Sequence, residues 1–131
     1  MGKLLTPAEH TLDGWFGKYI RLRDTPGPCV TCGRWLTYED SECGHFITRD
    51  NHATRWDERN SHAQCPYCNG PRKGEQFKHG LRVEEIHGKG TCDILRWKAS
   101  HSIGFKEWEI REMSKKFRLL YNELKKTKAA A

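Results

Sequence analysis

Cys29-Val-Thr-Cys32 and, after 32 intervening residues, Cys65-Pro-Tyr-Cys68 decide how this chain folds. A two-residue spacer lets both thiolates of a knuckle reach one ion, and two such knuckles complete a tetrahedral four-sulfur site. The pattern predicts one structural zinc ion on Cys29, Cys32, Cys65 and Cys68. Cys43 and Cys92 are left over and read as small core residues. The opening Met1-Gly-Lys-Leu-Leu-Thr-Pro7 contains no apolar signal-peptide segment, which places the expected protein in a reducing, cytoplasmic compartment. Disulfides rarely persist there, so paired cysteines point to a metal. The 131 residues make one ordinary domain, expected to span 1–131. With 36% hydrophobic residues and a mean hydropathy of −0.86, its core is thin, and a metal would reinforce it. Five Trp, five Phe and four Tyr argue against disorder. No apolar run nears the roughly 20 residues of a membrane helix, so no membrane partner is expected. Lys and Arg number 23 against 17 Asp and Glu, a net +6, which favours an anionic partner such as nucleic acid.

On either side of the knuckles the periodicity is helical. Thr6-Pro7-Ala8-Glu9 has the makings of a helix start, with a capping Thr, Pro at the first helical position and Glu three residues after the cap. Leu12, Trp15, Phe16, Tyr19 and Ile20 then recur at helical spacing, which predicts an N-terminal helix over about 6–23. The Pro/Gly-rich stretch up to Pro28 ends it. A zinc-centred core is expected over about 29–75, with short strands near Arg34–Leu36 and Glu42–Ile47, a turn around Asp50-Asn51-His52 and a short helix opening at Cys65-Pro66. A C-terminal helical part over about 80–126 would comprise Gly80–Ile86, stopped by Gly88, then Asp93–Ser100, then a strong amphipathic helix from Phe105 to about Lys126. That last helix presents Trp108, Met113, Phe117, Leu120, Tyr121 and Leu124 on or near one face. The Lys/Ala tail from Lys125 to Ala131 is expected to fray.

Between the knuckles lie Glu42-Cys-Gly44-His45-Phe46, Arg55-Trp-Asp-Glu-Arg-Asn60 and His62-Ala-Gln-Cys65-Pro-Tyr-Cys68-Asn69. These stretches resemble the HNH, or ββα-metal, nucleases, and within them the NinG/Rap proteins of lambdoid phages, recombination nucleases of branched DNA. The phage endonuclease VII group shares the layout of knuckles around such a core. The resemblance extends more weakly over Tyr19-Ile-Arg-Leu-Arg23 and the final helix. It implies an α+β fold, a zinc-stabilised ββα-metal core flanked by the N-terminal and long C-terminal helices. It also implies a metal-dependent endonuclease that cuts Holliday junctions and displacement loops.

The residue types suit that chemistry. Phosphodiester hydrolysis needs an activated water, and an imidazole with a reference pKa of about 6.5 can take its proton. A hard divalent cation with oxygen ligands can neutralise the phosphate and the leaving oxygen. By resemblance, His45 is the general base, Asn60 holds its imidazole or the hairpin in place, and Asn69 ligates a catalytic Mg²⁺ or Mn²⁺. The likeness departs at Gly44, where most such motifs carry a metal-binding Asp. The nearest acid, Glu42, becomes the candidate second ligand, although strand alternation turns it away from His45. Gly70-Pro71 would cut short the helix that normally follows. His62 fits the pattern without a role. Arg49, Arg55, Arg59, Arg72 and Lys73, with Lys78 and Arg82, are candidate phosphate contacts.

Two rival readings share the knuckles and the charge: a non-catalytic zinc-ribbon module that binds nucleic acid, and an HNH nickase of ordinary duplex DNA. A four-way junction has two strands to cut, so a homodimer is expected, with the stripe of the last helix as its interface. A phage recombinase is a further candidate partner.

Overall fold

The computed structural model describes residues 4–101 and 104–131. In chain order it has α1 (Pro7–Asp24), β1 (Gly27–Pro28), β2 (Trp35–Leu36), β3 (Glu42–His45), α2 (His52–Arg55), β4 (Ser61–Gln64), α3 (Pro66–Asn69), α4 (Gln76–His87), α5 (Thr91–His101) and α6 (Glu107–Ala130). The fold is mixed α+β. Its strands form two antiparallel pairs, β1–β2 and β3–β4. None of the helices is long and apolar enough to cross a membrane, among the described residues.

α1 starts where its sequence says it should. The Glu9 N–H donates to Thr6 Oγ1 (3.2 Å) and the Thr6 N–H donates to Glu9 Oε1 (2.9 Å), which satisfies two orphan donors of the first turn. Its buried stripe of Leu12, Phe16 and Ile20 faces α6, where Ile110 and Phe117 close a cluster shared with Trp56. Phe16 meets Phe117 edge-on at 4.9 Å, and Trp15 meets Tyr121 at 5.9 Å. The apolar stripe of α6 is thus covered by α1 of the same chain, which corrects its assignment as a dimer interface. Trp108, which is 64% exposed, lies outside that packing. The frayed tail is also corrected: α6 continues to Ala130, because Lys128 Nζ donates to the carbonyls of Leu22 and Thr25 at the end of α1. Cations are favoured near helix carbonyl ends.

β3 and β4 form the central hairpin, with Glu42 opposite Gln64, Cys43 opposite Ala63, Gly44 opposite His62 and His45 opposite Ser61. β3 stops at His45, short of the expected Ile47. All four β4 residues are buried, although three of them are polar. α1 docks on this strand through polar groups: Arg23 donates to the carbonyls of Ser61 (2.7 Å) and Glu58 (3.0 Å), and Asp24 Oδ2 accepts from the Ala63 N–H (2.9 Å). α4 begins at Gln76, four residues before the expected Gly80, and ends at Gly88, whose φ of 111° suits glycine. Gly80 falls inside the helix, at a position where a Cβ would lie 2.8 Å from the Phe46 ring. α4 and α5 enclose Phe46, Val83, Cys92 and Leu95, while Cys43 packs against the α1 cluster, so both leftover cysteines are core residues. The Glu84 carboxylate accepts from the N–H groups of Gly90 (2.8 Å) and Cys92 (2.8 Å), placing negative charge at the start of α5.

Candidate metal centre

β1 and β2 hold the first knuckle and α3 the second, and the four thiols converge. The Sγ atoms of Cys29, Cys32, Cys65 and Cys68 all lie within 4.8 Å of one another. A tetrahedral ion with Zn–S bonds of about 2.3 Å requires S···S edges of about 3.8 Å. Cys32 Sγ and Cys65 Sγ are 3.8 Å apart. Cys29, Cys65 and Cys68 are buried and Cys32 is exposed. Burial pushes the Cys29 thiol up, but N–H groups of Cys32 and Cys65 outweigh it and bring it down to about 6, which favours the thiolate a metal takes. The set fits a structural metal such as zinc.

On one face of the hairpin, Asn69 Nδ2 donates to Glu42 Oε1 at 2.9 Å. The two oxygen-bearing residues singled out from the sequence therefore meet, with Asn69 on the last turn of α3 and Glu42 at the start of β3. α3 is four residues long and ends at Gly70, as the Gly70-Pro71 pair predicts.

His45 lies on the other face. Its ring is 6.2 Å from that of Phe16 in α1, and Nε2 is 2.9 Å from the Arg55 carbonyl. A carbonyl only accepts, so Nε2 carries the proton and the lone pair falls on Nδ1. Burial pushes the His45 pKa down to about 4, against the Arg55 carbonyl bond that raises it. The imidazole is therefore neutral well below the usual 6.5. Asn60, fully buried, does not reach His45. Its Oδ1 accepts from the Ile47 N–H (2.8 Å), and Nδ2 donates to the carbonyls of Ile47 (3.0 Å) and Thr54 (3.1 Å). It holds the 46–60 loop closed, and so holds the hairpin rather than the imidazole.

A family model described as Bacteriophage Lambda NinG protein matches residues 4–129, nearly the whole chain and every residue of the centre described above. The chain belongs to the NinG family. Among similar NinG proteins, that of Escherichia phage lambda is 34% identical over 95 residues, covering 72% of this chain and 44% of the relative. That of Escherichia phage 933W is 34% identical over 95 residues, covering 72% and 45%. That of Salmonella phage P22 is 35% identical over 78 residues, covering 59% and 38%. The chain spans less than half the length of these NinG relatives. No solved structure matches it.

The basic residues of this NinG-family chain divide into two groups. Arg55 is buried, donates to both carboxylate oxygens of Asp13 (2.9 and 2.5 Å) and to the Arg49 carbonyl (2.8 Å), and shares Asp13 with Trp56 Nε1 (2.8 Å). This corrects its assignment to DNA: it clamps α2 onto α1. Arg59 pairs with Asp57 through Nε (3.1 Å) and Nη2 (2.8 Å). Arg72 stacks over the Tyr67 ring at 5.0 Å and pairs with Glu75 at 3.1 Å. Arg49, Arg72, Lys73 and Lys78 are exposed. Arg72 and Lys73 directly follow the α3 turn that carries Asn69.

His62, left without a role by the NinG likeness, is the middle of a hydrogen-bonded chain of three imidazoles. Its Nδ1 is 2.9 Å from His79 Nε2, and its Nε2 is 2.9 Å from His87 Nε2. Burial pushes all three below the usual imidazole range, His79 to about 4. The chain ends in a cavity of about 660 Å³ lined by His62, His87, Arg23, Arg59 and Arg82. Sequence reasoning missed His79 and His87. Their signal was the four-residue spacing of His79, Val83 and His87, which puts all three on one face of α4.

Proposed function

We propose that this NinG-family chain is a metal-dependent endonuclease that cuts branched recombination DNA by water attack on a phosphodiester. The observation that supports this best is the 2.9 Å hydrogen bond from Asn69 Nδ2 to Glu42 Oε1, which places an amide side chain and a carboxylate side by side next to exposed basic residues. The hairpin and the turn of α3 that carry them would serve as a ββα-metal core. Glu42 and Asn69 would hold Mg²⁺ or Mn²⁺, which when bound neutralises charge on the scissile phosphate and on the leaving oxygen. His45 Nδ1, its lone pair fixed by the Arg55 carbonyl, accepts the proton of the attacking water. Asn60 keeps the loop that carries Arg55 in register with β3. Arg49, Arg72 and Lys73 track the phosphates, and branch preference follows from the NinG/Rap likeness. Cutting both strands of a junction calls for two chains, associated through a surface other than the covered stripe of α6.

The direction of His45 favours a second reading, a non-catalytic zinc module, because its ring turns towards α1 and away from Asn69. Labelled duplex, fork and four-way junction, incubated with the zinc-loaded protein with and without Mg²⁺ or Mn²⁺, separate the readings. Ion-dependent cutting of the junction is expected, with His45→Ala slowing it by about 10²–10⁴-fold while binding persists. Because the base works deprotonated and titrates near 4, the rate should hold down to about pH 5 and fall only below it. Junction binding without cleavage at any pH or ion concentration selects the second reading, and equal cutting of plain duplex selects a nickase.

A further inference from the structure

We infer that Gln64 Oε1 is an oxygen ligand of the ion assigned to Glu42 and Asn69. This inference rests on the proposed metal-dependent reading and adds a residue that the sequence pattern does not single out. Gln64 is fully buried in β4. Its Nε2 donates to Thr31 Oγ1 (3.0 Å) and to the Gly74 carbonyl (2.9 Å). A carbonyl can only accept, so these bonds fix which end of the amide is nitrogen and turn Oε1 the other way. That oxygen is buried and has no hydrogen-bond partner. A buried acceptor left unpaired is costly, so a fold that keeps one calls for an occupant that offsets it.

The register says where that occupant belongs. Gln64 stands opposite Glu42, so the two side chains leave the same face of the hairpin, and Glu42 is bonded there to Asn69. Gly44 is on that face too. A Cβ at position 44 would lie 2.1 Å from Gln64 Oε1, so the amide fills the place a side chain there would take. The Glu42 carboxylate and the Gln64 amide oxygen thus leave one face of the hairpin, next to the Asn69 amide, a donor set that suits a hard divalent cation. A second buried amide oxygen without a partner, Gln76 Oε1, belongs to a side chain whose Nε2 is 3.4 Å from the His45 carbonyl. The two glutamines reach adjoining residues at the end of β3. The donor set would carry a single formal charge, so a free ion would bind weakly here, and a DNA phosphate would supply further oxygen ligands.

The test is Mn²⁺ binding to the zinc-loaded protein without DNA, read by electron paramagnetic resonance of the free ion. Gln64→Met should weaken binding at least about tenfold with zinc content unchanged, and Gln64→Glu, which supplies a charged oxygen, should strengthen it. In the wild type, adding Mg²⁺ should shift the ¹³C resonance of the Gln64 side-chain carbonyl, a readout that survives if a variant fails to fold. If Glu42→Gln weakens Mn²⁺ binding but both Gln64 variants bind as the wild type does and the carbonyl resonance stays still, Gln64 faces only water and the inference is overturned. If the wild type shows no saturable Mn²⁺ binding at all, the metal-dependent reading itself fails, and this inference with it.

Discussion

Acidification should unfold this protein through its buried histidines, and the size of the effect follows from where they sit. His79 is fully buried and His62 nearly so, and burial holds His79 near 4 and His62 lower still. In the unfolded chain both would titrate near 6.5. Folded values that are depressed leave stability whole above pH 6.5. Stability is lost as pH falls from there towards 4, because only the unfolded chain takes up protons in that window. At pH 5 the linkage amounts to about 2 kcal/mol for each residue, about 4 kcal/mol for the pair. Against a typical total of about 5–15 kcal/mol that is a large fraction. Urea unfolding followed by tryptophan fluorescence at pH 7.5, 6.5, 5.5 and 5.0, with zinc in excess, measures it. Thiolate protonation also weakens zinc binding in acid, so the decisive quantity is the difference from His79→Gln, which leaves the cysteines untouched. That variant should lose about 2 kcal/mol less than the wild type between pH 7.5 and 5. Parallel pH profiles for the two proteins would refute the reasoning.

Three further outcomes are expected. Cys65→Ser combined with Cys68→Ser should reduce metal content from about one zinc per chain to none, and lower the melting temperature, by elemental analysis and calorimetry. Arg55→Ala should cost about 1–3 kcal/mol in urea unfolding, since it leaves the partly buried Asp13 carboxylate without its main partner, while DNA affinity stays near wild type. Arg72→Ala and Lys73→Ala should each reduce the slope of log affinity against log salt by about 1 on duplex DNA, with no change in base preference.

Features encoded within a few residues were legible in the sequence. The knuckles were, because two matched pairs of thiolates, each at a two-residue spacing, suit one four-sulfur site. The start of α1 was, because Thr6, Pro7 and Glu9 cap it locally. β4 was not. Ser61, His62 and Gln64 are polar and buried together with Ala63, so no alternation of polar and apolar residues marks the strand. Their burial depends on partners far away in the chain, such as Arg23, Thr31 and His79. The destination of Arg55 was hidden for the same reason, since Asp13 lies 42 residues away. Glu42 and Asn69 were named as candidate ligands of one ion only through family likeness, and the structure hydrogen-bonds them to each other; Gln64 drew no attention because a glutamine beside a cysteine carries no signature. The α6 stripe was seen, but periodicity states that a face is apolar without naming what covers it.

The tie between Lys128 and Leu22 joins residues 106 apart. At a ribosomal rate of about 5–20 residues per second, α1 is made roughly 5–20 s before the helix that covers it. For that interval Leu12, Phe16 and Ile20 have no α6 to rest against. The zinc knuckles and the β3–β4 hairpin, by contrast, close over a short contiguous span as soon as Gln64 and Cys68 emerge. The polar docking of Arg23 and Asp24 on β4 can then seat α1 on this early scaffold, so that α6 arrives last on a surface already arranged to receive it. A metal such as zinc, taken up at the knuckles during synthesis, would therefore shorten the time for which the apolar stripe of α1 stands open to other nascent chains.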